Sequence, residues 1–66
     1  MDEKLITERE RQILTLVARG MTSPRIAQTL SLSPETIKWY RKRLLSKFQA
    51  DNTADMVRLA IENKII

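Results

Sequence analysis

Two serine–proline steps, Ser23-Pro24 and Ser33-Pro34, stand ten residues apart and confine whatever lies between them to one short element. A serine hydroxyl is a good helix N-cap, and proline suits the first helical position because the amide it lacks has no partner there. Each step therefore predicts a helix start. The first helix of the pair covers about 24–30, with Ile26, Ala27 and Leu30 on one face. A tight turn through Ser31-Leu32-Ser33 then leads into a longer helix over about 34–48, ending near Phe48. Two helices joined this closely have helix-turn-helix spacing. Ala27 and Ile37 suit that geometry: the small side chain lets the second helix cross closely, and Ile37 fills the wedge between them.

Two more helices flank the pair. Thr7 followed three residues later by Glu10 is a capping box, in which the hydroxyl accepts from the Glu10 amide and the carboxylate accepts from the Thr7 amide. Ile13, Leu14, Leu16, Val17 and Met21 recur at helical spacing behind it, and Gly20 supplies the left-handed conformation that ends a helix over about 8–19. A last helix, over about 52–63, starts on Asp51 or Asn52 as cap and carries Ala54, Met56, Val57, Leu59, Ala60 and Ile61. In 66 residues without cysteine or histidine, no disulfide closes the chain and no structural metal holds it; apolar packing must carry the fold. The expectation is an all-α, four-helix bundle forming one domain over 1–66, with 1–5 flexible.

Function classes narrow on the same grounds. There is no glycine-rich phosphate loop, no metal-ligand cluster, and no carboxylate pair set in an evident pocket, so no catalytic residue, metal or cofactor is expected. No apolar run reaches the ~20 residues of a membrane span. The stretch Met1-Asp2-Glu3-Lys4 has no apolar core behind it, so a cytoplasmic protein with no membrane partner is expected.

A net charge of +4 and a pI near 10.0 point to a polyanion, although many solvated domains are mildly basic. Position is more telling than total. Advancing about 100° per residue from Ile37 aligns Leu44 and Phe48 as a core stripe, with Tyr40 and Leu45 on its flanks. Opposite lie Glu35, Trp39, Lys42, Arg43 and Ser46, with Lys38 at the edge. Lys38, Arg41, Lys42, Arg43 and Lys47 follow one another with no acidic residue between them, so like-charge repulsion along the helix goes unrelieved. A basic helix face is often merely solvated, and an exposed tryptophan can fold over a loop or sit in an oligomer contact. On a helix lying in the major groove of double-stranded DNA, however, Trp39 can press its edge on a thymine methyl while Lys38 and Lys42 reach guanine O6 and N7. Arg41 lies close to the core stripe; its stem is expected to pack and its head to reach an acidic neighbour or a phosphate. Thr22, Ser23, Arg25 and Thr36 cluster at helix starts, where hydroxyls and free amides suit phosphate oxygens, though capping alone accounts for Ser23 and Thr36.

These residues resemble the LuxR-type (GerE or NarL-like) helix-turn-helix domain of bacterial transcription regulators. The likeness rests on Thr7-Glu8-Arg9-Glu10, Ile13-Leu14, Leu16-Val17-Ala18-Arg19-Gly20, Ile26-Ala27, Thr36-Ile37-Lys38, Lys47, Asn52, Ala54-Asp55-Met56-Val57 and Ala60-Ile61, and covers nearly the whole chain. It implies four helices, the third in the major groove and the fourth mediating dimerisation on paired half-sites. By position it puts base contacts on Lys38, Trp39 and Lys42, and backbone contacts near the start of the second helix and on Thr36, with support from Arg43 and Lys47. Three features depart from the family pattern: Gln49 replaces a glycine after the third helix, Trp39-Tyr40 replace a small residue and histidine, and Arg25 replaces a glutamate.

The fourth helix has more apolar positions than one stripe needs. Ala54, Val57 and Ile61 are expected to face the core, leaving Met56, Leu59 and Ala60 as a second stripe that either is buried too or forms a self-complementary dimer patch, weak in isolation. RNA polymerase is a candidate further partner. A free-standing regulator and an effector joined to a separate sensory domain both fit the residues. Two rival functions are a sigma-factor-like helix-turn-helix and a basic helical module that binds protein; the fourth helix argues against the first, because the groove-entering helix of a sigma region lies near its C-terminal end.

Overall fold

A short polar side chain opens every helix of the computed structural model, which describes residues 6–66. The elements are α1 (Glu8–Ala18), α2 (Ser23–Leu30), α3 (Pro34–Phe48) and α4 (Thr53–Glu62). Their caps are Thr7, Thr22, Ser33 and Asn52, each accepting from the amide three residues on: Glu10, Arg25, Thr36 and Asp55. The capping box at Thr7 and Glu10 is complete in both directions. One cap differs from expectation. Thr22 caps α2, so Ser23 is its first residue and Pro24 its second, a position whose amide is equally unpaired. The flexibility expected of 1–5 lies outside the described residues.

The helix ends are as uniform as the starts. Each chain reversal pairs two amides with the orphan carbonyls of the last turn, the Schellman arrangement. Met21 and Gly20 donate to Leu16 and Val17, Leu32 and Ser31 to Ala27 and Gln28, Ala50 and Gln49 to Leu45 and Ser46, and Ile65 and Lys64 to Ala60 and Ile61. In every case the residue after the reversal is apolar and packs on the core. The reversal needs a positive φ, which Gly20 supplies without strain; Ser31, Gln49 and Lys64 supply it with side chains at φ 58°, 53° and 58°. An L-residue there costs about 1 kcal/mol relative to glycine. Gln49→Gly and Lys64→Gly are therefore each expected to stabilise the domain by about 0.5–1 kcal/mol, with effects that add, read from urea unfolding midpoints.

One core unites the four helices: Ile13, Leu14 and Val17 from α1, Ile26 and Ala27 from α2, Ile37, Leu44 and Phe48 from α3, and Met56 and Ala60 from α4. Ile6 and Ile65 close its two ends. Ala27 and Ile37 are both buried where α2 meets α3, as the helix-turn-helix spacing requires.

The facing of α4 departs from expectation at Ala54 and Ile61, and at Met56 and Ala60 it takes the buried alternative. Met56 and Ala60 are fully buried, Val57 and Leu59 are half-buried, and Ala54 and Ile61 are exposed, Ile61 at 58%. The docked tail is the physical reason. Because Lys64 turns the chain back, Ile65 packs beside Ala60 and fixes that side of α4 inward, and Arg11 of α1 donates to the Ile65 carbonyl. Met56 and Ala60 are thus core residues of the single chain and cannot form a dimer surface. No helix among the described residues is long and apolar enough to cross a membrane.

Candidate nucleic-acid interface

The outward side of α3 carries Glu35, Lys38, Trp39, Lys42, Arg43 and Ser46, all exposed, while Ile37, Leu44 and Phe48 anchor the opposite side in the core. Trp39 is 56% exposed. Its ring meets Tyr40 edge to face, centroids 5.0 Å apart and planes at 78°, and the Arg43 guanidinium lies 5.3 Å from its centroid. A large ring held in water on the face of a helix is what a partner surface would cover.

The charge on this face is less uniform than the sequence suggests. From sequence the basic run has no acidic counterpart; the fold supplies one from α1. Glu10 is 1% exposed, and its Oε1 accepts from Lys47 Nζ at 2.7 Å and from the Thr7 amide at 2.9 Å, while Oε2 accepts from Arg43 Nε at 3.3 Å. Burial pushes the Glu10 carboxyl up, but the hydrogen bonds from Lys47 and the Thr7 amide, with the Lys47 charge, outweigh it and hold the group below its ordinary value. Lys47 is accordingly drawn inward and largely covered, and Arg43 is half-covered. Among the described residues no carboxylate comes within ion-pair distance of Lys38 or Lys42. Those two flank Trp39 as uncompensated charge.

Arg41 behaves as its position on the wheel implies, with different partners. It donates to Ser23 Oγ at 3.0 Å and to Thr53 Oγ1 at 3.2 Å, tying the starts of α2 and α4 to the middle of α3. Both partners are neutral hydroxyls, where an acidic neighbour or a phosphate is the sequence expectation. Ser23 is thereby half-buried and engaged. Thr22 and Arg25 are exposed at the start of α2, and Thr36 is held by Ser33, hydroxyl to hydroxyl at 2.8 Å. The start of α2, with Thr22 and Arg25, is thus tied through Ser23 to the middle of α3, and Thr36 lies in the first turn of α3.

On α4, Arg58 pairs with Asp55 and Glu62, so its exposed side alternates a closed ion network with Ala54 and Ile61. The hydrogen bond from Arg58 holds the Asp55 carboxyl below its ordinary value. No group of histidine, cysteine or carboxylate side chains suited to a metal occurs among the described residues.

Comparison with known proteins matches residues 4–60 to the family described as bacterial regulatory proteins, luxR family. The chain is similar to the transcriptional regulatory protein FixJ of Rhizobium meliloti, 36% identical over 56 residues, covering 85% of this chain and 28% of that one. It is similar to the transcriptional regulatory protein MctR of Rhizobium johnstonii, 36% identical over 61 residues, covering 92% and 28%. Against BvgA of Bordetella pertussis, a virulence factors putative positive transcription regulator, it is 34% identical over 61 residues, covering 92% and 29%. The chain therefore spans less than a third of the length of these relatives.

Proposed function

Because this chain belongs to the luxR family of bacterial regulatory proteins, a family of DNA-binding transcription regulators and not of enzymes, we propose that it is a sequence-specific binder of double-stranded DNA, acting in the cytoplasm as the effector part of a transcription regulator. The observation that carries this reading is the outward face of α3, where an exposed indole stands between two lysines that no carboxylate among the described residues compensates. A rigid helix anchored through Ile37, Leu44 and Phe48 can enter a major groove about 12 Å wide without rearranging the core.

Roles follow from reach and charge. Trp39 contacts a thymine methyl, and Lys38 and Lys42 contact guanine edges. Thr22, Arg25 and Thr36, with Ser23 behind them, meet phosphates at the start of α2 and the turn, where the hydroxyls and the positive end of the helix dipole suit an anion. Lys47 can reach a phosphate only by giving up Glu10, so it adds little to affinity. On paired half-sites two copies meet through α4, weakly in isolation, using Ile61 and Ala54 with the half-buried Leu59 and Val57. The burial of Met56 and Ala60 moves the dimer face by that much. A sensory domain and RNA polymerase complete the regulator, the first because the relatives are more than three times as long.

The test is binding to random-sequence duplex across a series of salt concentrations. Each phosphate neutralised contributes about −0.9 to the slope of log affinity against log salt. On random duplex, where no guanine is matched to them, Lys38 and Lys42 turn to phosphates beside Arg25, which predicts a slope of about −2.7 per chain, and a slope near zero removes DNA as the partner.

A further inference from the structure

Arg43 projects from the outward face of α3 but is turned back along it. Its Nε is bound to Glu10 Oε2 at 3.3 Å, and the guanidinium carbon lies over the Trp39 ring, 5.3 Å from its centroid. Glu10 is a fixed anchor: it is buried, and the Thr7 amide and the Lys47 ammonium hold its other oxygen. Tyr40 meets the indole edge to face. Without these contacts, a side chain more than half exposed on a helix would sample several rotamers in nanoseconds.

We propose that Arg43 is a positioning residue for Trp39. A line of contacts from the buried Glu10 carboxylate through the guanidinium fixes the orientation in which the indole is presented, so that Arg43 acts on the choice of sequence and not on phosphate binding. The proposal rests on the DNA-binding reading above for its consequence, but not for its geometry. Two properties of the site favour it over a phosphate clamp. The Arg43 charge already faces a buried carboxylate, so it has little counterion to release on binding. Arginine alone joins the two neighbours, because Nε can donate to Glu10 while the guanidinium carbon stays over the ring; a lysine ammonium is a single point and can do only one of these. Trp39 and Tyr40 depart together from the small residue and histidine of the family pattern, and Arg43 stands one turn on from Trp39, where a bulky ring needs bracing.

The experiment uses the tryptophan itself. The chain has one, so fluorescence reports Trp39 alone. Arg43→Met keeps the stem and loses the charge; Arg43→Lys keeps the charge and loses the fork. Lys47 holds Glu10 in both, so both remain folded. In the free protein, the nanosecond anisotropy decay of the indole is expected to speed up in both variants. On DNA, both are expected to lose about two- to fivefold in discrimination between the selected duplex and duplexes with one base pair changed, the size of one exposed cation–π contact. The salt slope on random duplex is expected to stay within about 0.3 of the parent's, less than one phosphate contact. Unchanged anisotropy overturns the proposal. So does an Arg43→Met slope shallower by about 0.9 with equal loss on every duplex while Arg43→Lys keeps the parent slope. If the parent itself shows no salt-dependent binding, the DNA reading fails, and the anisotropy of the free variants still decides whether Arg43 braces the indole.

Discussion

Glu10→Ala lowers the stability of this domain by about 2–4 kcal/mol, and Glu10→Gln by about 1.5–3 kcal/mol, in urea or thermal unfolding. The difference follows from what each variant keeps. Glutamine preserves the capping box, since its carbonyl still accepts from the Thr7 amide, but it removes the charge that Lys47 approaches at 2.7 Å and turns an amide donor toward Arg43 Nε. A hydrogen bond to a charged group contributes about 1.5–3 kcal/mol. Alanine also leaves the Thr7 amide without its carboxylate acceptor, about 1 kcal/mol more, and empties a buried site. Arg43 adds little, being half exposed. Domains of this length have roughly 3–10 kcal/mol in all, so Glu10→Ala removes a large share of the total. Each kcal/mol moves the midpoint of a 60–100-residue domain by about 4–8 °C. A loss below about 0.5 kcal/mol in both variants would mean that the buried carboxylate is solvated and not paired.

The same group makes the fold acid-sensitive in a defined window. Its carboxyl is held below its ordinary value in the native state, so the stability it contributes is fully present above the unfolded value of about 4.3. That stability is lost as pH falls through the lower native value. Unfolding free energy is expected to be flat near neutrality and to fall below about pH 5, with a shallower fall in Glu10→Gln. Some acid sensitivity survives in that variant, because the hydrogen bond from Arg58 depresses the Asp55 carboxyl in the same direction.

Glu10 also marks where sequence ceases to be legible. Its capping role was readable because the partner is three residues away, whereas its ion-pair partners are 33 and 37 residues away and depend on how α1 lies across α3. The four helices, Gly20, and the exposure of Trp39 were readable for the same reason as the cap: local spacing determines them. Thr22 and Ser23 are adjacent hydroxyls before a proline, and either can cap, so one-residue precision was not available. On α4 the failure was of another kind. Apolar residues at 54, 56, 57, 59, 60 and 61 surround so much of the helix that periodicity defines no single face. The deciding contact is Ile65, brought onto Ala60 by the reversal at Lys64, and nothing in the sequence marks a lysine as the residue that turns left-handed there. Arg41 was placed correctly at the edge of the core, but its partners Ser23 and Thr53 come from two other helices.

Trp39→Ala and Lys42→Ala are expected to change which sequences the protein prefers, each lowering discrimination at its own base pair by roughly 1–3 kcal/mol, five- to 150-fold, when selected duplexes are compared with single-base-pair variants. Arg25→Ala should instead weaken all duplexes alike and make the salt slope shallower by about 0.9. The contrast follows from where the residues sit. Trp39 and Lys42 project from the exposed side of α3, whose other side is fixed by fully buried Ile37 and Leu44, so truncating them leaves the helix in place and removes contacts that only a base edge can supply. The indole gives the sharper test of the two. An alanine at 39 carries no charge difference, so any loss on its account must come from shape and the thymine methyl, and should vanish on duplexes in which that thymine is replaced by uracil. A uniform loss across all duplexes, uracil-substituted ones included, would return Trp39 to the surface of the protein and leave Lys38 and Lys42 as a salt-dependent, sequence-blind patch.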